Sequence, residues 1–150
     1  MVSFSKEHHF GLLLVWKIKQ GFTKHIDPER ISNYVLFFFK EDLNIHFKDE
    51  ETMLFTQLPE TDELRIKAET DHQNIYHLIE NIEANKKDTH ALLVLADALD
   101  KHIRFEERSL FNHLQNNMDE KSLEAIEKRM SQGDSNIDAK WEDLFWIGAQ

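Results

Sequence analysis

Apolar residues recur at helical spacing along most of the chain. Ile31, Val35, Phe38, Phe39, Asp42, His46, Glu50, Met53 and Leu54 fall on one stripe at steps of three and four. Leu64, Ala68, His72, Ile75, Ile79 and Ile82 form a second stripe. Leu92, Leu95, Ala96, Leu99, His102, Ile103, Glu106 and Leu110 form a third. Leu12, Leu13, Trp16 and Phe22 mark a helix before all of these. The boundaries are written in capping residues. Ser5 is the expected N-cap of the first helix, with Phe4 stapled onto His9, and Gly21 ends that helix after about Lys19. Asp27-Pro28-Glu29 opens the second, which stops before Pro59. Thr61 or Asp62 caps the third, and Asn85-Lys86-Lys87-Asp88 is a polar break. The fourth starts near Asp88 or Thr89 and frays around Asn116-Asn117. A short helix from about Glu120 carries Leu123, Ile126 and Met130 and is broken at Gly133-Asp134. The aromatic end, Trp141 to Trp146, is expected to cap the bundle or to make a dimer contact. Four amphipathic helices with short connections predict an all-α, antiparallel up-down four-helix bundle with a short C-terminal helix, one domain over residues 1–150.

The stripes are not purely apolar, and their polar members repeat. His46-Phe-Lys-Asp-Glu50-Glu51, running on through Leu54-Phe55, recurs as His102-Ile-Arg-Phe-Glu106-Glu107 through Leu110-Phe111. Residues four apart on a helix share a face, about 6 Å from one another. Each copy therefore points an imidazole and a carboxylate the same way. The third helix adds His72. The first adds His9, with His8 as the alternative: a helix turns about 100° per residue, so both cannot face the axis. Leu12 and Trp16 at +3 and +7 favour His9, matching Ile75 and Ile79 after His72.

His9, His46, Glu50, His72, His102 and Glu106 thus make four imidazoles and two carboxylates on core faces. Bare, such a set would cost several kcal/mol for each unpaired group. Metal binding removes that cost. With both carboxylates bridging, two first-row ions would each have two nitrogens and two oxygens, leaving positions for water, an oxo or hydroxo bridge, or a small gas. Nitrogen and oxygen donors without thiolate suit iron, manganese or zinc. Tyr76, one turn after His72, is read as a ligand, a hydrogen-bonding neighbour of the centre, or a core aromatic. Glu51 and Glu107, next to the two candidate glutamates, are expected to face outward, the alternatives being acceptors of hydrogen bonds from the ligands or ligands themselves. His25, His77 and His90 are expected at the surface, and His113 lies about 16 Å beyond His102 along its helix.

Composition narrows the function. The formal charge of −10 argues against nucleic acid and anionic membranes as partners. The absence of cysteine removes disulfide, zinc-thiolate and iron–sulfur chemistry. The longest apolar run, Leu12–Trp16, is too short to span a bilayer, and no signal peptide is visible, so a cytoplasmic monomer or homodimer is expected.

These motifs, together with Ser5-Lys-Glu-His-His9 and Asp71-His72-Gln-Asn-Ile75, resemble the hemerythrin-like (HHE cation-binding) family over nearly the whole chain. The resemblance implies a four-helix bundle around a non-haem di-iron centre bridged by two carboxylates, with O₂ or NO as ligand or iron as cargo. The expectation is a binding module that binds or senses O₂ or NO or handles iron, rather than an enzyme. One alternative is a di-iron oxidoreductase acting on peroxide or NO or repairing iron centres. Another is a structural bundle holding zinc or manganese. Oxygen-carrying members read HxxxE, HxxxH, HxxxxD. Here Tyr76 stands where the second His of HxxxH would be, and the last motif is HxxxE.

Overall fold

The computed structural model describes residues 2–130 and 136–147, with side chains from His8 onward. Every regular element among them is helical. The expected break at Gly133-Asp134 and the Phe4 staple lie outside the described residues and side chains.

Helix α1 spans Val2–Thr23. It begins before Ser5, so Ser5 sits inside the helix and not at its cap. It also runs through Gly21. Its stop is a Schellman turn: His25 donates to the carbonyl of Phe22 at 3.1 Å and Ile26 to that of Gly21 at 2.9 Å. His25 takes the left-handed position, φ 56°, at this turn. Gly21 serves packing instead, since a Cβ there would meet Ile31 Cδ1 at 2.6 Å and Phe145 Cε1 at 3.0 Å.

Asp27 caps α2 (Pro28–Phe38), accepting from the Glu29 N–H. A wide π-helical turn (Phe39–Leu43), α3 (Asn44–Asp49) and a second π turn (Glu50–Leu54) continue it in one rod, which ends in a 3₁₀ turn (Phe55–Gln57) before Pro59. Asp62 caps α4 (Glu63–Ala84) and Asp88 caps α5 (Thr89–Phe105). A third π turn (Glu106–Leu110) leads α5 into α6 (Phe111–Asn117). Asp119 caps α7 (Glu120–Arg129).

α1 packs against α2 and α5, and α4 against α2 and α5. The core has two apolar parts. One contains Phe47, Ile75 and Ile103, together with Phe145 and Trp146 from the aromatic end. The other contains Leu54, Ala68 and Leu110, closed by Leu123 and Ile126 of α7. Along each rod the switch from one part to the other brackets a polar residue. Glu50 lies between Phe47 and Leu54, His72 between Ala68 and Ile75, and Glu106 between Ile103 and Leu110. A polar layer therefore separates two apolar ones.

Candidate metal centre

His46, Glu50, His72, His102 and Glu106 meet in that layer, each no more than 6% exposed. The first helix supplies His8, 3% exposed, whereas His9 is at the surface. This corrects the choice of His9. Around Gly11-Leu-Leu-Leu-Val-Trp16 the helix is apolar on every side, so spacing alone selects no face. The face that packs is His8, Gly11, Leu14, Val15, Ile18 and Gly21, and Trp16 remains 47% exposed. Gly11 lies on this face against α5, where a Cβ would come within 2.6 Å of Ile103 Cδ1.

Each glutamate stands between an imidazole of its own rod and one from another helix. Glu50 Oε2 is 3.5 Å from His46 Nε2, and its Oε1 is 3.2 Å from His72 Nε2. Glu106 Oε1 is 3.4 Å from His102 Nε2 and 3.2 Å from His8 Nε2. Two overlapping groups result, Glu50-His72-His102-Glu106 and His8-His46-Glu50, each with its ligand atoms within 4.8 Å of one another. Ligand atoms held at about 2.1 Å from one ion lie roughly 3.0–3.4 Å apart. The four glutamate–imidazole spacings, 3.2–3.5 Å, come close to this. The donor set fits a metal on a second ground. Among the described residues, buried His72 Nε2 and His102 Nε2 form no hydrogen bond, although such atoms rarely go unsatisfied.

The outer nitrogens of His72 and His102 are held by carboxylates. His72 Nδ1 lies 2.7 Å from Glu51 Oε2, and His102 Nδ1 lies 2.9 Å from Asp71 Oδ2. His8 Nδ1 is 3.3 Å from Glu107 Oε1. The hydrogen-bonded partners fix orientation and tautomer at His72 and His102. Glu51 therefore does not simply face outward, while Glu107 is exposed and lies beside His8. The π turns that begin at Glu50 and Glu106 explain this. In each, the carbonyl of the first Glu accepts from the Phe five residues on, Phe55 or Phe111. The wider turn advances each residue by less than the α-helical ~100°, which keeps the second Glu nearer the face of the first. Asp71 had no role in the sequence reading. Its only signal was its place next to His72.

Tyr76 does not point into the cluster as a ligand: its hydroxyl donates to Glu51 Oε2 at 2.6 Å. Phe47 stacks on His72 at 3.8 Å, and Phe111 on His8 at 5.2 Å. A surface pocket of about 460 Å³ opens beside His8, Glu107 and Phe111. Elsewhere His113 binds Asp62 at 2.6 Å, far from the cluster, and His25, His77 and His90 are exposed.

Electrostatics favour the neutral, ligand-ready ring at His46 and His72. Burial pushes the His46 imidazole down to about 4. Burial also lowers His72, outweighing the Glu51 hydrogen bond. His102 goes the other way: burial opposes its charge, but Glu106 and Asp71 raise it overall. For Glu106, burial is overcome by His102 and His8, which hold its carboxyl well below the usual range. A neutral ring offers its lone pair, and an ionised carboxylate its oxygens, which is the state a metal needs.

Among the described residues, no helix is long and apolar enough to cross a membrane. No curated protein and no solved structure gives a significant match to the chain. The sequence profile of the Hemerythrin HHE cation binding domain matches residues 7–114, which takes in the whole cluster from His8 to Glu107. With that match over most of its length, and with paired HxxxE motifs converging on one buried layer, the chain belongs to the hemerythrin HHE cation-binding family.

Proposed function

We propose that the chain is a single domain, an antiparallel up-down four-helix bundle around two non-haem iron ions, which binds or senses O₂ or NO or handles iron. The observation that carries this reading is that Glu50 belongs to both ligand groups. A carboxylate shared by two such groups suits a pair of ions rather than one. His8 and His46 would hold one ion and His72 and His102 the other, with Glu50 and Glu106 between them. This places His8 where the sequence reading put His9. The antiparallel arrangement is supported by His8, early in α1, meeting Glu106 just beyond the end of α5.

Bound iron would supply redox chemistry and open positions for a diatomic ligand. The chain's own contribution is to orient the His72 and His102 rings through Glu51 and Asp71, and to wall the layer with Phe47 and Phe111. The pocket beside His8 supports access for a small molecule. Imidazole and carboxylate donors also accept manganese or zinc, so the metal is the first thing to measure.

The test is metal analysis with an optical spectrum of the protein purified aerobically. About two irons per chain with near-ultraviolet charge-transfer bands is the expected result. One zinc, or no metal with a stable fold, would overturn it in favour of a structural bundle. Turnover of peroxide or NO with a reductant would move the assignment to an oxidoreductase.

A further inference from the structure

Tyr76 stands four residues after His72, where the oxygen-carrier pattern has a second histidine. Its hydroxyl is turned to Glu51 Oε2, at 2.6 Å. The same oxygen lies 2.7 Å from His72 Nδ1. We infer that Tyr76 is a positioning residue that sets the orientation and tautomer of the His72 ring through Glu51. The inference rests on the metal-centre reading above.

A phenol can donate one proton, and a carboxylate oxygen can accept twice. With Tyr76 donating, Glu51 Oε2 is the acceptor in both contacts, so the ring proton sits on His72 Nδ1. The lone pair is then on Nε2, facing the space beside Glu50 Oε1, 3.2 Å away. Phe47, stacked 3.8 Å away with an interplanar angle of 10°, fixes the ring plane. The Glu51 contact fixes its rotation within that plane.

What fixes Glu51 is the remaining question. Its side chain is 21% exposed and could swing to water. Lys48 Nζ approaches its other oxygen at 3.5 Å, but Lys48 is 58% exposed. Exposed ion pairs of this kind hold weakly. Lys48 also lies over the Tyr76 ring, at 4.7 Å. Tyr76 is packed edge-on to Phe39 and Phe47 and is the firmer of the two partners. Asp71, which holds His102, is steadied by Lys67 at 3.1 and 3.2 Å instead. Glu107, which faces His8, is 47% exposed. Among these three carboxylates, Glu51 is the one to which a phenol donates.

The experiment titrates the metal-free full chain with Co²⁺ alone. It compares wild type, Tyr76→Phe, Glu51→Gln and the double variant, each corrected for the folded fraction. Loss of a carboxylate behind a ligating histidine weakens metal binding about 10- to 100-fold. Glu51→Gln is expected in that range, and Tyr76→Phe at its lower end. The double variant should be no weaker than Glu51→Gln, because Tyr76 acts only through Glu51. The ¹⁵N shifts of the His72 ring in the metal-free chain give a readout that general destabilisation would not move. They should report the Nδ1–H tautomer in wild type and a mixture in Tyr76→Phe. Should Glu51→Gln fail to fold, Tyr76→Phe, which removes one oxygen, carries the test through these shifts and its Co²⁺ affinity. An equal loss from Tyr76→Phe in both backgrounds would overturn the relay. So would unchanged affinity and tautomer in the variants. A wild-type chain that binds no Co²⁺ would overturn the metal-centre reading together with the relay.

Discussion

Glu50 Oε1 lies 3.2 Å from His72 Nε2, and neither side chain has any exposed surface. The nitrogen makes no hydrogen bond across this gap, although both groups are sealed from water. Glu50→Ala would remove the oxygen ligand common to both groups. Metal content should fall from about two ions per chain to one or none, by elemental analysis. The metal-free fold should change little in melting temperature, since a buried charge leaves with its side chain. Retention of both ions would end the bridging role of Glu50.

His8 and His9 separate sharply in burial, so they should separate in effect. His8→Ala is expected to lower metal content, and His9→Ala to leave it unchanged. The same elemental analysis decides. A loss confined to the His9 variant would mean that α1 is turned by about 100° from the face described above.

The two helical glycines of α1 predict unequal costs. Alanine has an intrinsic helix advantage of about 1 kcal/mol over glycine. At Gly21 a Cβ would meet Ile31 Cγ1 at 2.8 Å and Phe145 Cε1 at 3.0 Å, as well as the Ile31 tip. Gly21→Ala should therefore destabilise by about 1–3 kcal/mol in urea unfolding. At Gly11 only the tip of Ile103 is close, at 2.6 Å, with the next atom at 3.7 Å. That side chain can turn aside, and Gly11→Ala should cost less than Gly21→Ala.

Asp62 has two duties. It caps α4, accepting from the Leu64 and Arg65 N–H groups, and it binds His113 of α6 at 2.6 Å. Burial works against its charge, but His113 and the backbone donors hold its carboxyl below the ordinary range. A carboxyl lower in the folded than in the unfolded chain adds stability that is full above the unfolded value, near ~3.9, and lost as pH falls through the folded one. The stability gap between wild type and Asp62→Asn should thus be constant at neutral pH and shrink below about pH 4. Urea unfolding over that range measures it. A gap that widens on acidification would reverse the sign of this pairing.

At the other end of α1, Lys17 is buried and fastened to the aromatic tail. Its Nζ donates to Asp138 Oδ2 at 2.6 Å and to Tyr34 Oη at 3.0 Å, and it lies over the Trp146 ring at 4.3 Å. Asp138→Ala would leave the ammonium with the phenol and the ring. A loss of about 1–3 kcal/mol is expected in urea unfolding. Metal content should not change, because Lys17 is nine residues, or about 14 Å, along the helix from His8.

Much of the architecture was legible because it is local. Asp27, Asp62 and Asp88 announce helix starts by donor–acceptor chemistry that acts within three residues. The stripes of the rod at 28–54, of α4 and of α5 have one apolar face each, so their inward residues, His46, Glu50, His72, His102 and Glu106, could be read from spacing. The paired HxxxE motifs needed only that periodicity. The aromatic tail was placed at a bundle end or a dimer contact, and the structure seats Phe145 and Trp146 in the core.

What the sequence did not reveal depends on how helices meet. α1 is apolar all round between Gly11 and Trp16, and only its packing against α2 and α5 selects the face that carries His8. The π turns at Glu50 and Glu106 change the angular step after the first glutamate, and a fixed helical period has no means of showing that. Glu51 and Tyr76 could be named as candidate neighbours of the centre, but which side chains they and Asp71 hold follows from contacts between helices, over sequence separations that periodicity does not span. By itself, then, the sequence determined which helices exist and most of the residues that line the polar layer, because short-range capping and spacing are properties of one segment. The tertiary structure alone decided which histidine of α1 enters that layer and which carboxylates hold the rings, because both follow from packing between segments.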